Sequence, residues 1–104
     1  MKGYWIVKVN VLDLEKQKEY ATHATEAVKK YQGQFLVRGG KQSTKEGKEY
    51  ERNVVVEFPS YDQAQSAYES EEYQSAKKIL GDNKDRIFAI VEGVFFSGSF
   101  CAIF

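Results

Sequence analysis

One cysteine, one histidine and one proline in 104 residues remove several kinds of protein from consideration. Cys101 has no partner for an internal disulfide, and with His23 the sole imidazole, a Cys/His zinc site within one chain is excluded. An excess of one charge is lacking too, because 15 Lys and Arg stand against 15 Asp and Glu. A phosphate-backbone partner draws its affinity from clustered positive charge, so the balance points away from nucleic acid. It also supplies little repulsion against self-association. No apolar run approaches the roughly 20 residues that span a bilayer, and Met1-Lys2-Gly3-Tyr4 leads straight into a strand-like segment without a signal-peptide core. The expectation is a cytoplasmic protein with no membrane partner. Gly-rich phosphate loops, nucleophile elbows, paired-carboxylate motifs and metal clusters are missing as well, and no cofactor is expected.

What is present suits a packed globule: 42% hydrophobic and 14% aromatic residues, in a length that fits one domain. Tyr4 to Leu12 alternates, with Trp5, Val7, Val9 and Val11 on one face, and reads as a strand. Asp13 offers a cap for a helix in which Tyr20, Ala24, Ala27 and Tyr31 recur at helical spacing. Lys18, Thr22, Thr25 and Lys29 fall on the opposite side, and Gly33 is placed to close the helix in the left-handed conformation. Gln34 to Arg38 is a second strand, stopped by Gly39-Gly40. A polar connection from Lys41 to Glu49 precedes a third strand, Arg52 to Phe58, whose Val54-Val55-Val56 core suggests a central position. Ser60 and Gln63 form a capping-box pattern, and Ser70 caps a further helical piece that ends at Gly81. Arg86 to Glu92 is the last strand.

The order β-α-β-β-α-β is the split βαβ of ferredoxin-like α+β folds, with a four-stranded antiparallel sheet and helices on one face. Residues 1–93 form that domain, and the apolar tail 94–104 is an added strand or an arm on a partner chain. Parity assigns Trp5, Val7 and Val9 to the helix side, together with Phe35, Val37, Val54, Val56, Phe58, Ile87, Ala89 and Val91. The far face then holds Tyr4, Ile6, Leu36, Val55, Phe88 and Ile90, mixed with Lys8, Asn10, Arg38, Asn53, Glu57 and Glu92. Either that face is solvated, as antiparallel sheets allow, or its apolar patch is covered by a second copy around a two-fold axis. The second reading makes a homodimer, a barrel-like pair of sheets.

Lys2-Gly3-Tyr4-Trp5, Phe35-Leu36-Val37-Arg38-Gly39-Gly40 and Arg52-Asn53-Val54-Val55-Val56-Glu57-Phe58-Pro59-Ser60 carry a resemblance, reinforced by Tyr68, Ser70, Glu72 and Tyr73. The chain resembles the domain-of-unknown-function 1330 family of the dimeric α+β-barrel superfamily. The resemblance implies the dimeric barrel and a bacterial source but no activity; superfamily relatives include cofactor-independent monooxygenases, haem-degrading enzymes and small isomerases, so fold is a poor guide to function.

Candidates for chemistry are few. His23 is the one side chain that ordinarily titrates near neutrality. It would be a general base or a haem ligand at a cavity mouth, or a surface histidine paired with Glu19 or Glu26. Arg38 could fork onto a carboxylate or enolate, or pair with Glu57 or Glu92 across the sheet. Asn10 and Asn53 would orient the same oxyanion or tie strands together. Arg52 reads as a surface ion-pair partner. Tyr68, with Tyr20, Tyr31 and Tyr73, has the spacing of packing residues and is a further ligand contact. The leading reading is a homodimer that binds a small organic molecule in its cavity, with cofactor-free acid/base or monooxygenase-like chemistry. The alternatives are a non-catalytic binding or assembly protein and a haem-handling protein.

Overall fold

The computed structural model describes residues 1–82 and 84–94. Within them the chain runs β1 (Gly3–Asn10), α1 (Leu14–Lys30), β2 (Gln34–Arg38), β3 (Arg52–Phe58), α2 (Tyr61–Glu69), α3 (Glu71–Leu80) and β4 (Asp85–Glu92). The four strands form one sheet in the order β2-β3-β1-β4, every neighbouring pair antiparallel. This is the ferredoxin-like α+β arrangement, with the second helical region broken in two at Ser70. The tail expected to add a strand or an arm lies, beyond Val94, outside the described residues.

Local chemistry explains most boundaries. The Asp13 carboxylate accepts the Lys16 amide at 3.1 Å and starts α1. Ser60 Oγ accepts the Gln63 amide at 3.0 Å to start α2, but the Gln63 side chain reaches away to the Tyr31 carbonyl instead of back to Ser60. Ser70 Oγ accepts the Tyr73 amide at 3.2 Å, so the chain restarts a helix one residue after ending another.

The end of α1 differs from expectation. Gln32, not Gly33, takes the left-handed conformation, at φ 63°. Its amide bonds Lys29 and that of Gly33 bonds Val28, closing the last turn with the paired bonds of a Schellman motif. Gly33 is needed for space: a Cβ there would stand 2.7 Å from the Phe58 ring and 2.8 Å from Val28 Cγ1.

The core lies between sheet and helices, with Phe58, Val56, Val28 and Tyr73 fully buried. Trp5 anchors it. Its ring lies 5.0 Å from Phe58, 5.1 Å from Phe88 and 5.3 Å from Tyr73, and its indole N–H donates to the Ala64 carbonyl at 2.9 Å, fixing α2 on β1. While α2 packs on the sheet, α1 packs chiefly on α3. Among the described residues no helix is long and apolar enough to cross a membrane.

Two strands turn the other way from the parity assignment. In β4, Ile90 lies opposite Trp5 and Phe88 opposite Val7, so Phe88, Ile90 and Arg86 face the helices. Ile87, Ala89 and Val91 face outward. In β2, Phe35 pairs with Val56 but Val37 pairs with Val55 and Arg38 with Val54. Leu36 is the extra residue of a bulge, which resets the alternation and carries Arg38 to the helix side. The outer face still keeps a large apolar area: Leu36, Val37, Ile87 and Val91 are exposed there, beside half-buried Ile6 and Val55.

Candidate functional site

A cavity of about 80 Å³ lies between α1 and the sheet. Trp5, Val7 and Val9 of β1 and Val54 and Val56 of β3 form its floor. Ala21, Ala24 and Val28 of α1 cover it, and the two alanines are part of why there is room. Phe35 and Phe88 close the sides. The polar lining consists of Gln17, Tyr20, Thr25, Arg38 and Arg52.

Arg38 and Arg52 share the helix-facing side at the β2–β3 end of this cavity. Arg38 lies opposite Val54, and Arg52 precedes Val54 by two residues, which makes the arginines diagonal cross-strand neighbours. Both are exposed, so they form a rim. Arg38 Nη2 donates to Thr25 Oγ1 at 2.9 Å, and its guanidinium lies 4.1 Å from the centre of the Phe35 ring. Thr25 spends its own proton on the Ala21 carbonyl at 2.7 Å, which leaves its oxygen to accept from Arg38. Arg52 is backed by Gly39, whose φ is +74° and where a Cβ would stand 3.0 Å from Arg52 Nη2. Among the described residues neither arginine forms an ion pair; the two ion pairs there are Lys30–Glu72 and Lys48–Asp85.

Behind the cavity, Tyr20 is tied into an aromatic group. Its hydroxyl is 2.9 Å from that of Tyr73, to which Arg86 Nη2 donates at 2.8 Å. The Arg86 guanidinium lies 4.8 Å from the Tyr20 ring centre, while its Nη1 is buried without a partner among the described residues. Burial pushes the Tyr73 phenol far up from its ordinary value, so it stays protonated and is no proton acceptor.

The other expected site residues are dispersed. Asn10 Nδ2 donates to Asp85 at 3.0 Å and its oxygen accepts the Glu51 amide at 2.9 Å. Asn53 accepts from Lys8 at 2.8 Å and donates to Gln42 at 2.9 Å. Both belong to the outer side of the sheet, where they tie strands to the connection preceding β3, away from Arg38. The Asn10 bond, aided by Lys48, holds the Asp85 carboxyl below the usual carboxylate range. The Tyr68 ring packs 4.9 Å from Tyr73 and 5.0 Å from Phe88, outside the cavity lining. His23 is half-buried on α1 and is absent from that lining. Arg38 alone of the expected set lies at the cavity.

Sequence reasoning passed over Gln17 and Thr25 and expected Arg52 to be a surface ion-pair partner, whereas among the described residues it forms no ion pair and lines the cavity. Gln17, Ala21 and Thr25 recur at four-residue spacing, so one stripe of α1 could have been followed to the cavity; Thr25 had been placed on the opposite side. Arg52 has no signal of its own beyond sharing parity with Val54.

A model of the domain of unknown function 1330 family matches residues 2–94. No curated protein matches the chain. Among solved structures, a protein of unknown function from Rhodopseudomonas palustris superposes with a TM-score of 0.70 at 13% identity, over 90% of this chain and 83% of its own. A dimeric ferredoxin-like protein of unknown function from Thermobifida fusca gives 0.58 at 13%, over 88% and 91%. A candidate antibiotic biosynthesis monooxygenase from Caulobacter crescentus gives 0.57 at 14%, over 90% of each chain. At these identities the likeness is one of fold.

Proposed function

Since the chain belongs to the domain-of-unknown-function 1330 family, whose name carries no activity, we propose from its geometry that it is a homodimer that holds a small organic molecule between α1 and the sheet. The observation that carries the reading is the apolar cavity of about 80 Å³ whose rim bears two arginines. Ligand sites have this character: mostly apolar walls with a few convergent polar groups. Pairing through the outer face accounts for the exposed Leu36, Val37, Ile87 and Val91, and agrees with the dimeric state of the Thermobifida relative.

Binding is favoured over acid/base or oxygenase chemistry by the lining itself. Among the described residues it contains no histidine and no carboxylate, and the Tyr20 hydroxyl is engaged by Tyr73. His23 would have to act from outside the lining. Haem is far larger than the cavity, which disfavours a haem-handling role.

Filling the cavity tests the reading. Benzene, a neutral single-ring probe, should bind the natural protein and shift its melting temperature upward. Ala24→Leu, which extends a side chain into the space, should lose benzene binding and keep a cooperative melt. Equal benzene binding by both proteins would place the ligand elsewhere and overturn the proposal.

A further inference from the structure

Among the described residues the charges lining the cavity are all of one sign, although the chain as a whole is neutral. The lining holds Arg38 and Arg52 and neither aspartate nor glutamate. Exposed arginines are commonly accompanied by a carboxylate, and here the two ion pairs among the described residues lie elsewhere. Two guanidinium groups at diagonal cross-strand positions repel one another unless an anion joins them.

Their preparation is unequal and complementary. Arg38 spends one of its five N–H donors on Thr25 and lies over Phe35, so its plane is set before any ligand arrives. Arg52 has no hydrogen-bond partner among the described residues and fills the space that Gly39 leaves by having no side chain. A planar guanidinium matches the two oxygens of a carboxylate, which a single ammonium would not do. The space behind the rim is apolar and small; a cavity of about 150 Å³ takes up benzene, so about 80 Å³ accepts one ring at most, incompletely enclosed, or a short branched chain.

Resting on the cavity reading above, we infer that the ligand is a carboxylic acid with a compact apolar body, its carboxylate held at the rim by Arg38 and Arg52 and its body lodged against Trp5, Val9 and Phe35. Gln17 and Thr25 give the rim its remaining polar groups. The acid binds in its ionised form, and added salt weakens it by screening.

The test is calorimetric titration of the natural protein with benzoate, benzamide and benzene, at low and high salt. Benzoate should bind on the order of tenfold or more tightly than benzamide, its neutral analogue of nearly the same shape. Arg38→Gln and Arg52→Gln should each reduce that preference, with a cooperative melt as evidence that the fold is intact. Equal affinity for benzoate and benzamide, with benzene still bound, overturns the inference and leaves the cavity reading standing. A preference for benzoate that survives both substitutions also overturns it, since the selectivity then comes from elsewhere. Failure of all three probes to bind overturns both readings.

Discussion

At the residue scale, polar groups that hold the fold are distinct from the polar groups that the proposed function assigns to a ligand. Tyr73 belongs to the first kind. Its hydroxyl is the hydrogen-bond partner of both Tyr20 and Arg86, deep in the aromatic cluster. Tyr73→Phe removes that partner and leaves a guanidinium with less compensation, at a cost of about 1–3 kcal/mol. Tyr68→Phe, whose ring packs through its carbon atoms against Tyr73 and Phe88, should stay within about 0.5 kcal/mol of the natural protein. Urea denaturation of the two variants checks the contrast; equal losses would mean that the Tyr73 hydroxyl is not the keystone of the cluster. Asn10, Asn53 and Asp85 are of the same structural kind, each spending its polar atoms on cross-strand or loop partners. Arg38 and Arg52 are of the second kind.

At the scale of elements, boundaries were legible and facing was not. Asp13, Ser60 and Ser70 announce three helix starts through side chains that accept amide protons, a local chemistry that needs no tertiary information. β4 hides its facing because both parities are apolar: Phe88 and Ile90 alternate with Ile87, Ala89 and Val91, and only the register against β1 decides between them. β2 hides its bulge because no glycine marks it; Leu36 is an ordinary strand residue, and the pairing with β3 alone makes it the extra one. The consequence fell on the site. Arg38 was legible as a candidate from its place before Gly39-Gly40, but counting parity through the bulge put it with Asn10 and Asn53 on the wrong side of the sheet. Deleting Leu36 tests the register. The ladder would then run Phe35, Val37, Arg38 opposite Val56, Val55, Val54 without interruption, so Arg38 stays on the helix side and benzoate keeps its advantage over benzamide. A folded deletion variant that has lost the advantage would mean that Arg38 had swung outward, against the assigned pairing.

For the molecule as a whole, the two faces of one sheet are given different duties by the proposed function. The inner face packs against both α1 and α2, and the cavity lies where Ala21, Ala24 and Val28 of α1 face the sheet. The outer face exposes Leu36, Val37, Ile87 and Val91, more contiguous apolar surface than a lone domain would leave in water. The proposed self-pairing could be argued from the sequence even with two strands reversed, because both parities of β4 are apolar and the outer face is therefore apolar under either assignment. The cavity was less foreseeable: it depends on how α1 seats on β1 and β3, and the alternation of single strands holds no trace of that. One measurement addresses both faces together, a methyl-resolved spectrum of Ile, Leu and Val side chains recorded with a soluble relaxation agent, before and after benzoate. The account predicts that Ile87, Val37 and Val91 methyls are shielded from the agent throughout, because a second copy covers them. It predicts in the same spectrum that benzoate moves the methyls of Val9, Val28 and Val54 and leaves the outer set unchanged. Outer methyls relaxing as freely as exposed side chains, or benzoate shifting them instead of the inner set, would contradict it.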